Sequence, residues 1–281
     1  MSGIDRQAME RERLARQSKL KRKAPPEPQL KVELFNFRQG SHDAWQLGET
    51  ADDFVKRLPP DTTSISTCPW IWVENPRRNQ QEKSTCPQVD QFTESGMQLL
   101  EQSELNRHKI QANGAGVPQG MLTKQLIQES KDLQQRIADL AVAHGVLSGK
   151  WMLFPKANQV NRVWAQVAQG VIDNRLGCSA KVATNDGNEE RLLCIYTKDF
   201  RDVDEVSRVL AELETLGLLY HGRTLYYKHD AYTYLDIRSA TASKYGLQAS
   251  LYNSRTMKMA GKLPKASTSP LKKQSTLNKY F

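Results

Sequence analysis

Two strand-like segments, Gly177–Thr184 and Arg191–Thr197, flank Asn185-Asp-Gly187, a tight hairpin signal. Directly after them Asp202 and Glu205 form an acidic capping pair that opens a helix to about Leu216. Its apolar stripe is Val203, Val206, Val209, Leu210 and Leu213, and Gly217 stops it. Hairpin then helix is the unit of an antiparallel sheet with helices laid on it. This constrains the fold more than any other stretch of the chain.

The flanking pattern agrees. Val32–Phe37, Pro69–Glu74, Lys150–Phe154, Thr224–Tyr227 and Ala249–Tyr252 read as further strands. Glu49–Leu58 reads as a short helix stopped by Pro59-Pro60. Pro118 opens a long helix to about His144, with Leu122, Leu126, Leu133, Ile137 and Leu140 along one side. Val160, Val163, Trp164 and Val167 mark another helix face. Residues 77–117 are polar and read as an insertion or long loop, with a small helix near Met97–Leu105. Short connections dominate, so the expected class is α+β: a curved, mostly antiparallel sheet backed by helices on one face, with the other face open to a ligand.

The 281 residues divide on this reading into a disordered basic tail at 1–30, the α+β domain at 31–252, a flexible linker at 253–273 and a terminal peptide at 274–281. The composition, 38% hydrophobic and 7% aromatic, leaves room for such tails. A net charge of +9 favours an anionic partner, although part of it sits in the tails, including Lys19–Lys23. That cluster reads as a nuclear-import or phosphate-binding segment or as a solvated charged run, and the expected location is the nucleus, with cytoplasm a second option. The four cysteines make no C-x-x-C pair, and with five scattered histidines no zinc spacing arises, so no metal or cofactor is expected. No apolar run approaches the ~18 residues that span a bilayer.

Aromatic rings beside cations suit nucleotide binding, because a ring stacks a base and Lys or Arg neutralises phosphate. The candidates are Trp70, Trp72 and Trp151 with Lys150, Lys181, Arg191, Arg223 and Lys228. Period two puts Trp70 and Trp72 on one sheet face. The competing reading of any one of these tryptophans is a core ring under the helices; Trp164, on a helix stripe, is read as core. His221, His229 and Asp230 lie close in sequence, but no nucleophile motif or phosphate loop accompanies them, so no catalytic residues are assigned.

Two resemblances add to this. Gln274, Leu277, Tyr280 and Phe281 follow the spacing of the PIP box, by which replication and repair proteins dock on the sliding clamp PCNA. A 3₁₀ turn at this spacing projects Leu277, Tyr280 and Phe281 to one side as an apolar plug. Separately, Ser148-Gly-Lys-Trp-Met-Leu-Phe154, Leu176-Gly-Cys-Ser-Ala-Lys-Val182, Leu193-Cys-Ile-Tyr-Thr197, Tyr227-Lys-His-Asp230, Thr233-Tyr234 and Tyr245-Gly-Leu247 resemble the basophilic-leukemia-expressed protein family, a group of unknown function. That family is similar in fold to the cap-binding translation initiation factor 4E, which stacks a methylated guanine between two tryptophans. No clear counterpart of that factor's Trp-Glu cap-reading motif is present. Together these readings point to a non-catalytic nucleic-acid- or nucleotide-binding protein tethered to PCNA. The alternative is an RNA- or cap-binding protein with no clamp role.

Overall fold

A computed structural model describes residues 9–10, 12–13, 33–78, 86–219 and 223–262. The clamp-docking residues Gln274, Leu277, Tyr280 and Phe281, the linker beyond Lys262, most of the 1–30 tail and His221 lie outside the described residues. The chain divides into two units, Met1–Glu33 and Leu34–Phe281. In the first, Met9, Glu10, Glu12 and Arg13 are helical and exposed. Met, Glu and Arg are all good helix formers.

The second unit contains α1 (Ala51–Arg57), β1 (Trp70–Glu74), α2 (Val89–Ala112), α3 (Gln119–Ala143), β2 (Gly149–Leu153), α4 (Val160–Ile172), β3 (Ser179–Ala183) and β4 (Leu193–Thr197). It continues with α5 (Val203–Thr215), β5 (Tyr226–His229), α6 (Asp230–Tyr234), a 3₁₀ turn at Ala242–Tyr245, β6 (Tyr252–Asn253) and α7 (Ser254–Lys262). The strands form one curved antiparallel sheet, in the order β1-β3-β4-β2-β5-β6.

Local chemistry sets the helix ends. Thr50 caps α1 by accepting the Asp53 amide, and Asp202 caps α5 by accepting the Glu205 amide at 3.0 Å. Gly217 ends α5 at φ 68°, in the left-handed region that glycine adopts without strain. Alternation sets the sheet's inner side. Ile71, Val73, Ala180, Val182, Leu193, Ile195, Trp151 and Tyr227 are fully buried. They join one core with Val163, Trp164 and Val167 of α4 and Val206, Val209 and Leu213 of α5. Val203, expected on the α5 stripe, is exposed at the helix's first turn.

Three expectations change. Residues 89–112, read as polar loop with a small helix near Met97–Leu105, are the 24-residue helix α2, which packs on α3. Its buried side is Phe92, Gly96, Leu100 and Ser103. Two of these four are small, so the stripe does not register as apolar. Gly96 is needed there because a Cβ would overlap Leu235. The β3–β4 connection is also wider than a tight hairpin. Thr184 turns aside to donate to the Cys68 carbonyl at 2.6 Å, and Asn185 pairs with Thr63 and Ile65. Finally, residues 33–36 form no strand; their anchor is the Phe35 amide on the Pro76 carbonyl.

Candidate ligand-binding face

In an antiparallel sheet, paired residues point to the same side. Trp72 pairs with Lys181, Lys181 with Cys194, Ser179 with Tyr196, Tyr196 with Lys150, and Lys150 with Lys228. The register therefore carries Trp70, Trp72, Lys181, Tyr196, Lys150 and Lys228 onto the side opposite the core. A cavity of about 660 Å³ lies on this side. Its floor is sheet, and its rim is the Gly145–Ser148 turn and α6 with Thr233 and Tyr234. Four cationic side chains, Arg78, Lys150, Lys181 and Lys198, line it against one carboxylate, Asp230.

Lys181 is the centre of the arrangement. Its Nζ lies 3.9 Å from the ring centroid of Trp70, 4.9 Å from Trp72 and 5.9 Å from Tyr196. These are cation–π distances. Among the described residues no carboxylate lies within ion-pairing distance of Lys181 or of Lys228, and both are half-buried. Burial pushes the pKa of each ammonium below its ordinary value, and repulsion from Lys150 adds to this. Lys150 differs. It is buried and bound to Asp230 at 2.5 Å and to Thr233 Oγ1 at 3.0 Å, and Ser148 donates to the second Asp230 oxygen.

Trp72 is held from two sources. The Arg38 guanidinium lies 3.9 Å from its ring centroid, and the Tyr196 ring is stacked with it at 6.2 Å and 19°. Arg38 is itself fixed on Glu74 at 3.3 Å, and Arg78 meets the same carboxylate at 3.1 Å. Burial raises the Glu74 pKa against the pull of both arginines. Cys194, paired with Lys181 across β3 and β4, is buried, and burial raises its thiol to about 11.

The remaining candidates lie elsewhere. Trp151 faces the core, fully buried, with its indole N–H on the Val206 carbonyl at 3.0 Å. Successive strand residues point to opposite faces, so Trp151 and Lys150 cannot share a ligand. Arg191 is buried under the β3–β4 connection, where it binds Asn185 Oδ1 at 2.6 Å, Asp186 at 3.3 Å and the Asn188 carbonyl. Arg223 pairs with Glu190 at 3.0 Å beside a different cavity. Asp230 reaches the open face while His229 turns inward between Phe200 and Tyr232, so the two form no pair. Tyr196, Ser148 and Asp230 were not singled out from sequence as part of this face. Alternation along Leu193-Cys-Ile-Tyr196 could have found the tyrosine, but Ser148 and Asp230 meet through β2–β5 pairing alone.

Two solved structures share local similarity with the chain: Ascaris suum eIF4E-3 with an m2,2,7G cap and the same protein with an m7G cap. Each is 15% identical, with a TM-score of 0.27 over 30% of this chain. The match spans about half the length of those chains, 51%. Residues 2–236 match the family model of basophilic leukemia-expressed protein Bles03, and on that extent the chain belongs to the Bles03 family.

Proposed function

We propose that the open sheet face is a binding site for a nucleotide or for the nucleotide end of an RNA. The observation that carries this is the pair of half-buried lysines, Lys181 and Lys228, beside an aromatic-walled cavity where cations outnumber carboxylates. A buried cation without a counter-ion is costly, and an arriving phosphate relieves that cost. The cavity, about 660 Å³, falls in the range that accommodates small ligands.

Tryptophan fluorescence tests it. Trp70 and Trp72 are half-buried at the site, while Trp45, Trp151 and Trp164 are buried in the core. Titrating the full chain with GTP, 7-methyl-GTP and a short RNA should give a saturable quench below about 1 mM. No quench and no heat with any of the three would remove the reading.

A separate proposal concerns Gln274, Leu277, Tyr280 and Phe281. We propose that this motif docks on PCNA and holds the domain near its ligand by effective concentration. Calorimetric titration of PCNA with the full chain should show binding that disappears in the Tyr280→Ala/Phe281→Ala double variant. Unchanged binding in the variant would end that proposal.

A further inference from the structure

We infer that the open-face site, on the reading just given, selects its ligand by the phosphate chain and not by the base. Stacking a base needs an accessible ring face, and each of these rings already carries one of the protein's own cations over a face. Trp72 carries the Arg38 guanidinium at 3.9 Å, and that guanidinium is fixed by Glu74. The Trp70 ring carries Lys181 Nζ, also at 3.9 Å.

The gap between Trp72 and Tyr196 is too narrow for a sandwich. A base between two rings needs about 7 Å from plane to plane, two van der Waals separations of about 3.5 Å. The centroids of these near-parallel rings are 6.2 Å apart, which is an upper bound on their separation. Trp72 is held in this position by the Arg38 guanidinium, which Glu74 fixes in turn. The aromatic residues therefore position cations.

What the cavity presents to a ligand is charge and hydroxyls. Lys181 and Lys198 line it, Lys150 is fixed by Asp230 and Thr233, and Lys228 stands outside the lining, beside Lys150 on the next strand. Each further phosphate on a ligand adds negative charge for this row to meet. A base is left at the rim, where Tyr234 is 41% exposed. The ligand class is thus a polyphosphate end, such as a nucleoside triphosphate or a 5′-triphosphorylated RNA, with little dependence on which base it carries.

The test is calorimetric titration of the full chain with tripolyphosphate, GTP, 7-methyl-GTP, UTP, GMP and guanosine. Tripolyphosphate and the three triphosphates should agree within about threefold, GMP should bind at least about tenfold more weakly, and guanosine should not bind. Lys181→Gln should lose about tenfold in tripolyphosphate affinity, and Lys181→Arg should stay within about threefold of the unmodified protein. GTP or 7-methyl-GTP binding about tenfold tighter than UTP and tripolyphosphate would overturn base indifference while leaving nucleotide binding intact. Equal loss in the Gln and Arg variants, both folded by circular dichroism, would likewise overturn charge recognition at Lys181. Binding by none of the six would remove the inference, and no binding of the short RNA either would remove the function on which it rests.

Discussion

The two faces of one sheet follow opposite rules. On β1, Ile71 and Val73 are completely buried against helices, while Trp70 and Trp72 lie on the open face, Trp72 lining the cavity and Lys181 over both rings. On β2, Trp151 fills the core and its neighbour Lys150 reaches Asp230 on the other side. Each strand contributes to both faces because its side chains alternate. One face gains stability by excluding water, and the other keeps cations where a ligand can reach them. Substitutions one residue apart should therefore fail in different ways.

The largest separation is expected at Trp151. Trp151→Ala leaves a hole among α5 and Tyr227 and removes the indole bond to the Val206 carbonyl, so unfolding free energy should drop by about 3–5 kcal/mol in urea titration. An effect below about 1 kcal/mol would mean that the inner face is not the close-packed side.

Acid should act on the inner face through His229. Burial, with repulsion from Lys228 and Lys150, lowers its pKa from 6.5 to about 3, and its ring nitrogens have no hydrogen-bond partner among the described residues. Above pH 6.5 neither the native nor the unfolded chain protonates it, and the group adds no pH dependence. Below that, the unfolded chain takes up a proton that the native state refuses. Its contribution to stability should then fall by about 1.4 kcal/mol per pH unit down to about pH 3. His229→Phe should flatten the stability profile over this window; an unchanged slope would place the titration elsewhere.

Next comes Gly177, where a Cβ would overlap the Tyr196 carbonyl oxygen, a backbone atom that cannot yield without moving β4. Gly177→Ala should cost about 1–3 kcal/mol and should also weaken nucleotide binding, because Tyr196 moves with the strand. Destabilisation with unchanged binding would uncouple that strand from the site.

The smallest stability effect is expected at Lys181. Lys181→Met removes a half-buried charge and its ring contacts, so stability should stay within about 1 kcal/mol. Ligand affinity should fall by about tenfold nonetheless. A change of several kcal/mol at Lys181 would make it a structural residue and erase the contrast between the faces.

How much of this was legible in the sequence follows the same division. Strands with β-branched or aromatic alternation, and helices with dense apolar stripes such as Val160–Val171, were readable because burial writes a period into the chain. Helix α2 was legible only as a small helix near Met97–Leu105, because Gly96 and Ser103 make up half of its buried side. Trp70, Trp72, Lys150, Lys181 and Lys228 were named from sequence and share the open face; Trp151, Arg191 and Arg223 were named with them and do not. Alternation alone separates Trp151 from Lys150. The role of Arg191, which ties Asn185, Asp186 and Asn188 together, is set by a loop whose path no local pattern reveals.

The most direct test uses the five indole N–H resonances of the full chain, assigned by single Trp→Phe substitutions and followed while GTP is added. The account predicts that the Trp70 and Trp72 signals shift and saturate while Trp151, bonded to Val206, and Trp164 hold still. Five unmoved signals at saturating GTP, or shifts confined to the core tryptophans, would contradict a ligand site on the open face.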